Sequence, residues 1–281
     1  MSKLKFIVWG DPQVSAIDET RAKNFAAACA DVRLGDTKYD ATVLVGDITE
    51  YGRIDEYQTV AQILNSIGEN GGKIFCTTGN HDIRLRRYKK QMMRFNSFLA
   101  SLDKGVVGEG SHYYFSTRVN GYKFIIMGSD RASFEAMHIS KKQIEWIDKQ
   151  IAEEQGKPVF VFNHQCLKGT NGLPITWGGF GTWRGSVGRQ NDKLRPVFEK
   201  YKNVYFITGH LHYGMSEYNI EDYGAFKAIS APTVGVSNHG PFKENSQGLI
   251  IEVDEKTVTI TPRLFAKGKN VEEYIKVFDI E

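Results

Sequence analysis

The sequence predicts a single α/β domain over residues 1–281, with two sheets packed face to face and helices outside. Short apolar runs alternate with amphipathic segments through the first third of the chain, the signature of βαβ units and largely parallel pairing. A hairpin signal follows, and from Tyr213 onward strand signals dominate. No internal repeat, low-complexity tract or linker divides the chain.

Taken in order, Leu4–Trp9 is a buried strand and a helix runs from about Asp18 to Val32 with apolar residues on one face. Ala41–Val45 is the second strand and Ile54–Ile67 the second helix. Lys73–Thr77 is the third strand, followed by a basic helix from about Arg84 to Leu99. Tyr113–Val119 and Tyr122–Met127 flank Asn120-Gly121, the strongest short-range hairpin signal. Ser140 is placed to cap a helix reaching about Glu154, with Gln143 as the reciprocal partner three residues on. Val159–Phe162 and Val204–Thr208 are further buried strands, and turns are expected at Asp222-Tyr223-Gly224 and Asp254-Glu255-Lys256.

Composition narrows the class. Hydrophobic residues make up 41% and charged residues 25% of 281 residues, so a sizeable core forms without disulfides. A formal charge of +3 is too small for its sign to imply a nucleic-acid partner. Cys29, Cys76 and Cys166 are few, odd in number and widely spaced, and read as thiols of a reducing compartment. The apolar run Phe6-Ile7-Val8-Trp9 is too short for a signal peptide, and no stretch is long enough to span a membrane. A soluble, cytoplasmic protein is the expectation. One segment, Gln165–Gln190, has seven glycines, Trp177, Trp183, Pro174 and no sustained period. Long irregular loops inside a domain are usually functional or disordered, and two tryptophans argue against disorder.

The chemistry lies in a recurring junction. A buried strand ends, a glycine follows, and the next residue can bind a metal: Gly10-Asp11, Gly46-Asp47, Gly79-Asn80 and Gly209-His210. A fifth junction, after Val159–Phe162, ends in Asn163-His164 without the glycine. In open α/β sheets the carboxyl ends of strands open onto one crevice, where ligands bind. Any one Gly-Asp is more often a turn, but five metal-competent residues on successive strand ends are hard to assign to chance.

The ordered set Asp11-Pro12-Gln13, Gly46-Asp47-Ile48-Thr49-Glu50-Tyr51-Gly52, Gly79-Asn80-His81-Asp82, Asn163-His164 and Gly209-His210-Leu211-His212 resembles the calcineurin-like metallophosphoesterase superfamily over residues of about 5 to 215. The helix from Ser140 with Trp146 and Ile147, followed by a strand and His164, resembles that family's usual lead-in. The resemblance implies a four-layer αββα sandwich and a hydrolase with two metal ions. It implies one ion held by Asp11, Gln13, Asp47 and His212, and another by Asp47, Asn80, His164 and His210, with Asp47 bridging. It gives His81 as the group that protonates the leaving oxygen and Asp82 as its orienter.

The physics of phosphate esters agrees. The ester is negatively charged and repels hydroxide, and two divalent ions both neutralise it and generate the nucleophile. Mixed imidazole, carboxylate and amide donors suit Mn²⁺, Fe or Zn²⁺, with Mn²⁺ the first choice. Two details bear on the subfamily. Purple acid phosphatases carry a tyrosine three residues after the bridging Asp, where this chain has Glu50, and Tyr51 falls one residue too late. Gln13 stands where the family usually has histidine, which weakens the first metal site.

The expected substrate is a small phosphomonoester or phosphodiester, nucleotides included; near-neutral charge disfavours nucleic acid and a nuclease role. The alternatives are a scaffold that kept the fold and lost turnover, and a phosphoprotein phosphatase. Oligomeric state is left open. Among further residues, Arg131 either enters the crevice or pairs with a carboxylate, and Trp177, Trp183 and Arg184 are candidates to line the substrate mouth. The basic run Arg84, Arg86, Arg87, Lys89, Lys90 and Arg94 reads first as a solvated helix face, and His239 as a surface-loop residue.

Overall fold

Strands form where the apolar runs predict them. The computed structural model describes residues 3–108, 113–177 and 185–280. In order the elements are β1 (Leu4–Trp9), α1 (Thr20–Leu34), β2 (Ala41–Val45), α2 (Ile54–Asn65), β3 (Lys73–Thr77), α3 (Asn80–Ile83) and α4 (Tyr88–Ala100). Next come β4 (Phe115–Val119), β5 (Tyr122–Ile126), α5 (Lys141–Ala152), β6 (Val159–Phe162), α6 (Asn191–Glu199) and β7 (Val204–Thr208). The chain closes with β8 (Ile220–Asp222), β9 (Phe226–Ser230), β10 (Gln247–Val253), β11 (Thr257–Leu264), β12 (Lys269–Asn270) and β13 (Lys276–Asp279).

The strands make two mixed sheets. One runs β12-β11-β10-β1-β2-β3, with β13 also on β11; the other runs β4-β5-β6-β7-β9-β8. β1, β2 and β3 are mutually parallel, and so are β5, β6, β7 and β9. Every residue of β2 and β7 is buried, as expected for parallel strands covered on both faces.

Between the sheets Phe6 meets Phe124 and Phe160 edge-on, each with ring centroids 5.0 Å apart. On the outer face of the first sheet, Phe25, Leu64 and Phe95 bring α1, α2 and α4 onto one apolar cluster. On the outer face of the second, Ile147 of α5 and Phe198 of α6 do the same. The result is the αββα sandwich.

Local chemistry explains where elements start and stop. Asn120 and Gly121 both have positive φ, 48° and 87°, the two-residue turn whose twist matches the strands it joins. Ser140 accepts the Gln143 backbone N–H at 3.2 Å, as a cap should. In place of the expected reciprocal bond, the Gln143 side chain bonds the Gly128 carbonyl and Asp130, and Asp130 takes the Ser140 N–H at 2.7 Å. The helix expected from about Arg84 starts later, at Tyr88, and a separate short helix lies before Arg84. α3 begins at Asn80 because the Asp82 carboxylate accepts the Gly79 N–H at 2.9 Å, and α4 restarts at Tyr88. Among the described residues no helix is long and apolar enough to cross a membrane.

Candidate metal centre

The parallel strands β1, β2 and β3 of one sheet and β6 and β7 of the other deliver their carboxyl ends to one edge of the sandwich. Asp11 follows β1, Asp47 follows β2, Asn80 opens α3 after β3, His164 follows β6, and His210 and His212 follow β7. All six side chains are buried. Gln13 reaches the same place because two junction loops are zipped together. Its N–H donates to the Asp47 carbonyl at 2.8 Å, and Val14 N–H donates to Ile48 at 3.1 Å.

The glycines at these junctions serve mainly to leave room. A Cβ on Gly79 would sit 2.1 Å from the Asp47 carboxylate, and one on Gly46 would sit 2.5 Å from the His164 ring. At these junctions positive φ occurs at Gly46, at 85°, and otherwise falls on the donor residues. Asp11, Gln13, Asp47, His210 and His212 all lie in the left-handed region, with φ of 49°, 42°, 44°, 73° and 48°. Strain of this kind in non-glycine residues gathers at functional sites.

The donor atoms converge in two groups that share Asp47. One is Asp47, His164 and His210; the other is Asp11, Asp47 and His212, with the donor atoms of each group within 4.8 Å of one another. In the first group, His164 Nε2 lies 3.2 Å from Asp47 Oδ2, 3.1 Å from Asn80 Oδ1 and 3.2 Å from His210 Nδ1. In the second, His212 Nε2 lies 3.3 Å from Asp11 Oδ1. His164 Nδ1–H donates to the Val45 carbonyl at 2.7 Å, which turns the Nε2 lone pair inward, the usual arrangement of a metal-binding histidine. The Gln13 amide oxygen is buried and has no hydrogen-bond partner among the described residues. Such orphans are rare in native interiors, and a cation would satisfy this one.

Electrostatics point the same way. Burial pushes the Asp47 carboxyl up, but the imidazoles of His164, His81 and His210 outweigh burial and hold it well below the usual carboxylate range. Burial works against charge on His164, yet Asp47 and Asp11 raise it to about 9. Two buried acids thus face a ring of imidazoles, a donor set that divalent ions fit.

His81 sits at the rim. Its Nε2 is 3.1 Å from the Gln13 amide nitrogen and 3.9 Å from Asp47 Oδ2. Its Nδ1 is 2.9 Å from the Glu50 carbonyl oxygen and 3.2 Å from the Glu50 carboxylate, and Arg84 Nη2 lies 3.2 Å from the same nitrogen. Glu50 is itself held by Arg21 at 2.6 Å. Burial lowers the His81 pKa, but Asp47 and Glu50 together raise it to about 9.

Asp82 does not orient His81. Its carboxylate accepts hydrogen bonds from the N–H groups of Ile48, Thr49 and Gly79 and from the hydroxyls of Thr49 and Tyr57. An acid in the third position of a helix points back at the cap, so Asp82 ties the Asp47 loop to the Asn80 loop. Burial and the nearby Asp47 charge raise its pKa to about 6.

A cavity of about 330 Å³ opens over these groups, lined by Gln13, Asp47, Asn80, His81, Arg84, Glu135, Trp177, His210, His212, Asn238 and His239 among others. Trp177 stacks on His210 with centroids 4.5 Å apart. Arg131 is exposed and is not among the residues lining the cavity. Trp183 and Arg184 lie outside the described residues.

The family model for calcineurin-like phosphoesterases matches residues 4–214. The chain belongs to that family. The donor residues of the candidate centre all lie within the matched stretch, and Asn238 and His239 of the cavity wall lie beyond it. Among solved structures, a purple acid phosphatase from yellow lupin superposes with a TM-score of 0.66 at 14% identity, covering 100% of this chain and 54% of that one. The TT1561 protein of Thermus thermophilus superposes with a TM-score of 0.52 at 12% identity, covering all of both chains. These likenesses show the fold; the chain spans about half the length of the lupin enzyme. No curated protein sequence matches the chain.

Sequence reasoning missed four residues around this site. Glu50 registered only as the missing tyrosine, and Arg84 only as one of a basic run. Glu135 carries no motif at all. His239 was expected on a surface loop, but it lines the cavity and its Nε2 lies 3.1 Å from the Thr176 carbonyl oxygen. No periodicity marks it; pairing of Tyr213 with His239 brings it in.

Proposed function

We propose that this metallophosphoesterase hydrolyses a small phosphomonoester or phosphodiester with water at a centre for two divalent ions. The observation that carries the reading is the pair of donor groups sharing Asp47, with the orphaned Gln13 oxygen beside them. One ion would be held by Asp11, Gln13, Asp47 and His212, and the other by Asp47, Asn80, His164 and His210. Bound there, such ions supply positive charge for the phosphoryl group and a nucleophilic hydroxide near neutral pH. The first set has three oxygen donors, which favours Mn²⁺ over Zn²⁺.

His81 is the proton donor in this reading. Its Nδ1–H is held by Glu50, so Nε2 faces the cavity, where a leaving oxygen would need a proton. Trp177 closes one wall and, packed on His210, excludes water from that side. A cytoplasmic location belongs to the same reading, supported by three buried free thiols, Cys29, Cys76 and Cys166.

The test is to strip the protein with chelator, restore Mn²⁺, Zn²⁺ or Fe²⁺, and screen mono-, di- and cyclic phosphoesters. About two ions per chain and Mn²⁺-dependent hydrolysis are expected. A fully loaded protein that hydrolyses none of the esters would overturn the reading.

A further inference from the structure

We infer that Glu135 is a positioning residue for Asn80, fixing which end of its side-chain amide faces the donor group, an assignment that rests on Asn80 being a metal ligand. An asparagine amide has oxygen on one side and NH₂ on the other, with nearly the same shape. Only the oxygen binds a cation. Rotation by half a turn therefore converts a ligand into a group that repels the ion, and nothing in the Asn80 backbone chooses between the two.

Glu135 chooses. Asn80 Nδ2 donates to Glu135 Oε2 at 3.2 Å, while Asn80 Oδ1 faces His164 Nε2 at 3.1 Å. An ionised carboxylate only accepts hydrogen bonds, so it selects the NH₂ end. The flipped amide would set two oxygens against each other and aim its NH₂ at the donor atoms. This is the arrangement by which groups behind a ligand commonly orient it.

The Glu135 side chain is itself well fixed. Arg84 Nη1 donates to its other oxygen at 2.9 Å, and the two side chains are only 18% and 16% exposed. Phe134 covers the Arg84 guanidinium at 5.2 Å from the ring centroid. Gln165, next to His164, donates to the Glu135 carbonyl at 2.8 Å. The loop between β5 and α5 is thus moored to the centre at both backbone and side chain. Through Arg84 it also reaches His81, whose Nδ1 lies 3.2 Å from Nη2.

The experiment is a Mn²⁺ titration of the 281-residue chain by calorimetry, with thermal unfolding run on each variant. Glu135→Ala should weaken one Mn²⁺ site by about 10- to 100-fold, the usual cost of losing such a supporting group. In the Asn80→Asp background the ligand has two equivalent oxygens and needs no orientation. It also faces Glu135 as a like charge. There Glu135→Ala should leave Mn²⁺ affinity unchanged or improve it. Equal losses in both backgrounds would mean that Glu135 merely braces its loop, and that result, or no loss in the parent, would overturn the inference. Should Glu135→Ala unfold, Glu135→Gln serves instead, since its amide can present either end; a loss confined to the Asn80 parent is again expected. Asn80→Ala separates the two levels. If it keeps both ions at parental affinity, the ligand assignment fails, whatever Glu135 does.

Discussion

Buried charge occurs at both ends of the sheets and is handled in opposite ways. At the amino end of the parallel strands, Glu154 is 2% exposed and meets Arg118 at 2.5 Å and Lys123 at 3.2 Å. Lys123, 7% exposed, also meets Glu153 at 2.8 Å. At the carboxyl end, Asp11 and Asp47 are 0% and 2% exposed, and their ion-pair partners among the described residues are histidines at 3.2 to 3.9 Å. A lysine or arginine closes a buried acid permanently. An imidazole can give up its proton, and the acid is then free for another cation. The first cluster is a finished structure; the second is built to be completed.

The comparison can be broken most severely at Asp47. Asp47→Asn removes the carboxylate common to both groups, so both Mn²⁺ ions should be lost and turnover should fall below detection. A variant that keeps two ions and full activity would show that Asp47 is not shared. His81→Ala comes next, with a loss of about 10²- to 10⁴-fold in rate, the scale of a missing general acid. That loss should shrink for nitrophenyl esters, whose leaving group needs little protonation; equal losses for alkyl esters would point to positioning.

At the other end the effect should be on stability alone. Glu154→Ala removes the carboxylate shared by Arg118 and Lys123, leaves Lys123 only Glu153, and should cost about 1 to 3 kcal/mol in denaturant unfolding while leaving Mn²⁺ affinity untouched. The pH dependence has a definite sign. Burial raises the Glu154 carboxyl, but Arg118 and Lys123 win and hold it below its ordinary value. Its stabilisation is therefore present above the unfolded value of about 4.3 and is lost as pH falls through the lower folded value. Glu154→Gln should flatten that acid limb, and an unchanged limb would remove the contrast. The smallest effect is expected at Gln13. Gln13→His should tighten one site about tenfold and move its preference from Mn²⁺ toward Zn²⁺, read by titrating each metal.

The sequence made the framework of the site legible because strand ends are local. Apolar runs of four to six residues, each followed by a polar donor, place Asp11, Asp47, Asn80, His164 and His210 without any tertiary knowledge. What surrounds His81 and Asn80 was not legible. Asp82 follows His81 directly and was expected to orient it, but helix geometry turns its carboxylate to the Gly79 N–H. Glu50 and Glu135 reach His81 and Asn80 across 31 and 55 residues of sequence. Their roles arise from loop packing, which leaves no periodic trace. Arg84 differs from the exposed Arg86 and Arg87 only in direction, and only a fold sets direction.

The left-handed residues of the centre carry a consequence for selection. An L-residue held in that region costs about 1 kcal/mol or somewhat more relative to a relaxed backbone. Five of them, Asp11, Gln13, Asp47, His210 and His212, add up to an amount comparable with the whole stability of a typical domain. Glycine at any of these positions would relieve the backbone and delete a donor in the same step. A population selected for heat tolerance alone would therefore drift toward glycine at these five positions. Side chains at these positions set the geometry of the centre against the stability of the fold.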